Sequence, residues 1–493
     1  MTLVSKILGL ARELVLAGTY GAGSVTDAYS MAISVPNDIF AAVMLSASTA
    51  FLPVYSKKMA DEGREAGDIL TSGIINRLWI ASACVALLGC VLARPLISVF
   101  APGFSGQTAE LSVFYIRIAF VLVVFSVSKN IQASYLEYHG VFLSQKLFGF
   151  AENFCIIAFT LLSFRLGQPR LLVFGITAGG VVIAAGYFLL SEKNGYRHSF
   201  RLEKDDSVSD VLRLAFPVFL GNCATHINVL VDRMLASEME VGSVSALHYG
   251  AGLTDAINAV SIGIVATVIY PMLSRAFAEG NMERASALAS GALRLCLVLM
   301  LPCSLGAVVY AKPIVRAVFE RGSFSAAASE MVSAAFRFYV AGLIFASLNT
   351  ILLRVFYSLR DTATTVKVSL VSVVLNIVLD FALCGPMGLS GLAFATSISS
   401  AAGLVLRLVL LKRIHPEIRL QVPAAGVAKT AVFSAVAVGG SLLFYNVVGN
   451  FLQLSHILNI FLALLLAVVI YYLELYFTGA EELQLLKKPF SSK

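Results

Sequence analysis

Phe51-Leu52-Pro53-Val54-Tyr55-Ser56-Lys57 is followed, 218 residues later, by Ile269-Tyr270-Pro271-Met272-Leu273-Ser274-Arg275. Each is an apolar run that meets a proline and then a basic residue, a pattern that marks a helix end. The spacing recurs elsewhere. Pro95-Leu96-Ile97-Ser98-Val99-Phe100 matches Pro313-Ile314-Val315-Arg316-Ala317-Val318 at 218, and Gly23-Ser24-Val25-Thr26 matches Gly242-Ser243-Val244-Ser245 at 219. A hydrophobic unit duplicated in parallel register predicts a two-lobed membrane transporter with its substrate path between the lobes.

Composition agrees with a bilayer. The 493 residues are 58% hydrophobic and 13% charged, with mean hydropathy +0.85, where a soluble domain carries roughly 25% charged residues. About 14 apolar stretches follow one another, each near the roughly 20 residues that cross a 30 Å hydrocarbon core. The expectation is an all-α polytopic membrane protein with two pseudo-symmetric six-helix lobes, 1–190 and 208–413. A basic cytoplasmic linker, 191–207, joins them, two additional transmembrane helices occupy 427–477, and 478–493 is a cytoplasmic tail. Lys6 and Arg12 interrupt any signal-peptide core, so the first helix is expected to remain as a span.

Loops after the even-numbered spans hold Lys57, Lys58, Lys146, Arg201, Lys204, Arg275, Lys412, Lys487 and Lys488 among other basic residues. The bias over the opposite side is about three to one and predicts both termini in the cytoplasm. The net charge of +7 therefore reflects topology and anionic headgroups, and nucleic acid is not an expected partner.

Seven cysteines lie in apolar stretches without CxxC spacing and without histidines at ligand distance, so they read as small apolar residues. No Walker A, GxGxxG or GxSxG motif occurs, and no nucleophile–base set is visible. The chain reads as a transporter and not an enzyme. No cofactor or metal is expected, and a coupling cation or the membrane potential would supply the energy.

Charges inside spans are costly and therefore informative. Asp38 and Asp255 stand 217 residues apart at nearly repeat-related positions. They read either as a coupling-ion or substrate site lining the groove between lobes, or as wetted acids near helix ends. Lys129 on span 4 and Glu152 on span 5 are candidates to pair, as a structural contact or as a second part of the cavity. Asp380 in span 11 is a candidate cation ligand. Asp232 and Arg233 read as interfacial residues that snorkel. The charged segments after Pro53 and Pro271 read as cytoplasmic loops.

Ser5-Lys6-Ile7-Leu8-Gly9-Leu10-Ala11-Arg12-Glu13, Thr26-Asp27-Ala28-Tyr29, Val35-Pro36-Asn37 and Ala50-Phe51-Leu52-Pro53-Val54-Tyr55 follow in order. So do Val231-Asp232-Arg233, Phe356-Tyr357-Ser358-Leu359-Arg360-Asp361-Thr362 and Gly391-Leu392-Ala393-Phe394-Ala395-Thr396-Ser397. Over nearly the whole chain this resembles the MurJ (MviN) lipid II flippases of the multidrug/oligosaccharidyl-lipid/polysaccharide exporter superfamily.

The resemblance implies 14 spans in a bacterial inner membrane and a role in peptidoglycan synthesis, hence in the cell wall and cell shape. It implies that Lys6, which replaces the usual arginine, and Arg12 meet the pyrophosphate of an undecaprenyl-pyrophosphate-linked glycan. Asp27 and Asn37 match further cavity positions. Two family arginines are replaced, by Phe40 or Ala41 and by Gly252, which leaves the exact glycan open. Spans 13–14 resemble the family's lipid-tail groove. The alternatives are a cation-coupled small-molecule exporter or another lipid-linked polysaccharide exporter of the same superfamily, and a non-transporting membrane scaffold.

Overall fold

The computed structural model describes residues 2–141, 144–202 and 206–478. Lys204, Lys487 and Lys488, with the tail 479–493, lie outside the described residues, as does the side chain of Lys146. Helices account for almost all of the described chain. They are α1 (Thr2–Tyr20), α2 (Ser24–Glu62), α3 (Arg64–Val91), α4 (Ala93–Phe100), α5 (Gly106–Tyr138), α6 (Ser144–Arg165), α7 (Leu172–Lys193), α8 (Asp206–Ser237) and α9 (Ser243–Ala278). Then come α10 (Met282–Val309), α11 (Ala311–Phe319), α12 (Ala326–Ser358), α13 (Thr362–Met387), α14 (Leu389–Ile414), α15 (Ala424–Leu443), α16 (Gly449–Phe451) and α17 (His456–Phe477). Without water to take up backbone N–H and C=O groups, a helix is the structure that satisfies them within one segment.

Among the described residues, eleven helices are long and apolar enough to cross a membrane, or twelve with the bent α9 counted as one span. The two remaining long helices carry more charge. α1 bears Lys6, Arg12 and Glu13, and α8 bears Asp210, Arg213, Asp232 and Arg233.

Two compact units emerge, Met1–Ser245 with Arg321–Ser325, and Ala246–Glu320 with Ala326–Lys493. The duplication alone places the seam before 208. Contacts instead pack α8 against α2 and α3, within the first unit.

The prolines sit differently from their sequence reading. Pro53 lies inside α2 and Pro271 inside α9, so Lys57–Glu62 and Arg275–Ala278 extend helices where loops were expected. α9 bends by 41° between Ser243–Gly263 and Val265–Ala278, just upstream of the carbonyl that Pro271 leaves without its helical donor. α2 continues because Phe51 and Tyr55, both fully buried, hold the helix on either side of Pro53. Tyr55 also shares a 3.0 Å hydrogen bond with His139 Nε2. Pro95 and Pro313 are each third in a short helix, α4 and α11. There the missing N–H would have had no helical partner, so these prolines open helices instead of ending them.

Both units use the duplicated third span in the same way. In the first, three α3 residues one turn apart hold the segment after α7: Arg197 N donates to Asp68 Oδ2 (3.2 Å), Ser199 N to Ser72 Oγ (3.1 Å), and Asn76 Nδ2 to Ser199 O (2.7 Å). In the second, α10 holds the segment after α14: Arg419 N donates to Ser286 Oγ (3.1 Å), Gln421 N to Ser290 Oγ (2.8 Å), and Arg294 Nε to Gln421 O (2.9 Å). The pairs 68/286, 72/290 and 76/294 all differ by 218. The segment after the sixth span of each repeat is therefore a pinned strap, its backbone groups satisfied by one helix face.

The units differ on the neighbouring face. In the first, Trp79, Ile80, Val124, Phe125, Phe188 and Leu189 line an open apolar groove of about 780 Å³. In the second, Val298, 218 residues after Ile80, is buried beneath α15 and α17 with Ala437, Tyr471 and Leu475. Tyr471 Oη donates to Val298 O at 2.9 Å, and the hydroxyls of Tyr310 and Ser441 share a second bond of 2.9 Å. The unduplicated helices thus cover in one unit the face left open in the other. Among the described residues no disulfide forms; Cys296 is buried, and Cys84 and Cys303 lie on exposed helix faces.

Candidate functional site

α1 packs against α6 and is tied to it by a 2.6 Å hydrogen bond between the hydroxyls of Tyr20 and Ser163. On this helix Arg12 is partly buried and held by its neighbour: Nη2 and Nε both donate to Glu13 Oε1, at 2.6 and 3.1 Å. Glu152, on α6, lies within electrostatic reach of the same guanidinium. Arg12 is thus pre-oriented by two acids from different helices. Lys6 is exposed. Six residues apart on one helix, it stands about 9 Å along the axis from Arg12 and is turned about 120° from it. The two cations consequently present separate faces.

Asp27 is committed elsewhere. Only 2% exposed, it accepts from Gly242 N (2.6 Å), Ser245 N (2.7 Å) and Ser245 Oγ (2.7 Å). These donors open α9, so the carboxylate caps a helix N-terminus at long range. The bonds account for the repeat Gly23-Ser24-Val25-Thr26/Gly242-Ser243-Val244-Ser245 in a direct way. Thr26 Oγ1 caps its own helix through Gly23 N at 2.9 Å, and Ser245, its counterpart, meets Asp27.

Asn37 is exposed beside Asp38 on α2. Asp38 Oδ1 stands 3.4 Å from His226 Nδ1 on α8, and Asp38 Oδ2 is buried without a hydrogen-bond partner among the described residues. The histidine was not singled out in the sequence, because nothing in one chain says that span 7 lies beside span 2. Asp255 is an exposed residue of α9 in the other unit. Phe40 is buried and Gly252 exposed, while the side chain of Ala41 lies outside the described residues.

Lys129 and Glu152 form no ion pair among the described residues, contrary to expectation. The reason is helix order: α6 packs on α1 and α7, whereas α5 packs on α2, α3 and α7. Asp232 and Arg233 do not snorkel either. Asp232 is 8% exposed, and Arg233 Nη1 donates to Ser30 O on α2 at 3.2 Å. Asp380 is fully buried and accepts from Asn376 Nδ2 at 3.4 Å. No group of three or more His, Cys, Asp or Glu at metal-holding geometry occurs among the described residues.

The duplicated helical unit, the charged residues held within its spans and the absence of soluble segments define a polytopic transporter of the exporter superfamily. An inward-facing multidrug resistance MATE transporter of the MOP superfamily superposes with TM-score 0.72 at 14% identity, over 84% of this chain and 95% of that one. A lipid II flippase MurJ in an inward closed conformation superposes with TM-score 0.83 at 23% identity, over 96% of both chains.

The family model for the lipid II flippase MurJ matches residues 16–462. A probable lipid II flippase MurJ of Vibrio cholerae is 30% identical over 432 residues, 82% of this chain and 80% of that protein. Its counterpart in Bdellovibrio bacteriovorus is 27% identical over 509 residues, 99% of this chain and 94% of that one. The chain belongs to the MurJ lipid II flippase family, and it is a multi-pass membrane protein.

Proposed function

We infer that this chain is a flippase that moves a polyprenyl-pyrophosphate-linked glycan, lipid II, from the inner to the outer leaflet by alternating access. The observation that carries the reading is the family match over residues 16–462. The physical requirement is plain: a glycan on a charged pyrophosphate cannot pass through hydrocarbon without polar partners. Arg12 is the residue suited to supply them, because a guanidinium offers paired donors to phosphate oxygens and here is already oriented by Glu13. Lys6 lies on another face of α1 and acts as a second, separate point charge. Asp27 serves the fold through its three bonds to Gly242 and Ser245.

Transport then consists of rocking the repeat lobes, 1–190 and 208–413, about a head group held between them, with the tail left in lipid. Asp38 with His226, and Asp380 with Asn376, are the candidates through which an ion gradient enters. Both termini lie in the cytoplasm of a bacterial inner membrane, following the distribution of basic loops.

The decisive experiment measures externally accessible lipid II in cells depleted of their own flippase, beside a different undecaprenyl-linked glycan. Wild type is expected to restore lipid II export and Arg12→Ala to abolish it while remaining inserted. Export of the other glycan alone would change the cargo, and export of neither by an inserted wild type would overturn the reading.

A further inference from the structure

Arg407 lies within α14, seven residues before its C-terminal end and so about 10 Å from it. It is 5% exposed. Its terminal nitrogens meet two neutral groups: Nη1 donates to Asn349 Oδ1 on α12 at 2.7 Å, and Nη2 to Ser369 Oγ on α13 at 3.0 Å. Asn349 is fixed in that orientation because its Nδ2 donates to Ser400 O at 2.8 Å. The third donor of the guanidinium, Nε, is buried without a hydrogen-bond partner among the described residues. So is the hydroxyl of Ser372, one turn beyond Ser369 on α13.

These two orphaned groups converge on a glycine. A Cβ at Gly403 would lie 2.7 Å from Ser372 Oγ and 3.3 Å from Arg407 Nη1. The absent side chain leaves the polar cluster open on that side.

Nothing nearby neutralises the cation. Asp380, eight residues beyond Ser372 on the same helix, stands about 12 Å further along the axis. Asp361 is engaged at the N-terminal end of α13 with His415, at 3.3 Å. No carboxylate forms an ion pair with Arg407 among the described residues. A guanidinium bonded only to neutral groups inside a membrane span retains the full cost of an uncompensated charge, and that cost favours capture of a counter-ion. The space beside the unpaired N–H and O–H is small, which suits a monatomic ion and excludes a pyrophosphate or a lipid head group.

We propose that Arg407, Ser372 and Gly403 form a binding site for a compact monovalent anion of chloride size, buried between α12, α13 and α14. The ion accepts from Arg407 Nε and Ser372 Oγ and neutralises the guanidinium. Its occupancy then stabilises the packing of these three helices. The site is wholly within the second unit and does not depend on what the protein transports.

The test uses the purified full-length chain in detergent at constant ionic strength, with sodium chloride replaced stepwise by sodium gluconate, whose anion is too large to enter. The melting temperature of the wild type is expected to rise with chloride and saturate. The rise should weaken in Ser372→Ala and vanish in Arg407→Met. Gly403→Ala should also reduce it, by filling the open side. Crystals soaked in bromide should show an anomalous peak within hydrogen-bond distance of Arg407 Nε. If Arg407→Met does not fold, the Ser372→Ala and Gly403→Ala responses and the bromide peak decide. Equal melting of the wild type in chloride and gluconate would overturn the proposal. So would a chloride response unchanged in Ser372→Ala and Gly403→Ala, or bromide found only elsewhere.

Discussion

At the scale of single residues, two groups that look alike in the sequence separate by their partners. Arg12 is charged, half-buried and paired with a movable neighbour, Glu13. Asp27 is buried and spends both oxygens on α9. Arg12→Ala is therefore expected to leave folding intact and to weaken lipid II binding by about 10- to 100-fold, the worth of one to two charge-assisted hydrogen bonds; a binding isotherm on the purified protein checks this. Glu13→Gln removes the competing anion and should tighten the same binding, with a slower release. Asp27→Ala should act on stability instead. It strands buried donors at about 1–3 kcal/mol, visible as a lowered melting temperature and poor membrane yield, whereas Asp27→Asn retains part of the bonding.

Elements show how the repeat was used. α3 and α10 carry polar residues at matching positions, and each holds the strap that follows its sixth span. The first strap brings His198 into an aromatic box. Its ring centroid lies 5.3 Å from Trp79, 4.7 Å from Phe200 and 5.7 Å from Phe188, and its Nδ1 is 2.8 Å from the Tyr196 hydroxyl. Burial pushes the imidazole below its ordinary range, only partly opposed by Glu192. The folded state thus holds its proton more weakly than the unfolded chain. The contribution of His198 to docking is complete above the unfolded value, about 6.5, and is lost as pH falls through the lower, folded value.

Trp79 is the only tryptophan in the sequence, so it reports this directly. Its fluorescence should be quenched on acidification below about pH 6.5, and His198→Gln should remove that titration. At the second strap the pair is reversed in kind. Burial raises the Asp361 carboxyl, but bonds from Thr364 and His415 outweigh it and leave the group below the usual carboxylate range. Its contribution is present above the unfolded value and lost only in stronger acid.

At the scale of the molecule, the two straps give the orientation a test. Both come after the sixth span of a repeat, so both should lie on one side of the membrane. Arg197→Cys and Gln421→Cys should resist an impermeant thiol reagent in intact cells and react after lysis; labelling of one from each side would break the parallel duplication. The open groove of the first unit and the covered face of the second give another. Tyr310→Phe and Ser441→Ala should each cost the second unit about 0.6 kcal/mol, the average for a hydrogen bond between transmembrane helices, read as a lowered melting temperature. In lipid, apolar contact alone gives α15 and α17 little reason to stay.

Much of this was legible along the chain. Hydropathy marked the spans, and the 218-residue offset marked the duplication, because a bilayer constrains composition residue by residue and a repeat preserves it. The motifs around Lys6, Arg12 and Asp27 pointed to the family. Arg407 was also readable as a charge within an apolar stretch, although nothing in the sequence tells what surrounds it. Helix neighbours were not legible. Lys129 and Glu152 are sequential but lie on helices that do not pack together, while Asp38 meets His226 and Asp27 meets Ser245, each far away in the chain. Proline position was ambiguous for the same reason, since Pro53 and Pro271 end helices in water but are carried through when buried side chains hold both flanks. Composition and repetition are properties of a line of residues, and they settled the membrane, the class and the duplication. Which charge is free, which is capped and which stands alone depends on the helices lying side by side, and only the packed fold could decide it.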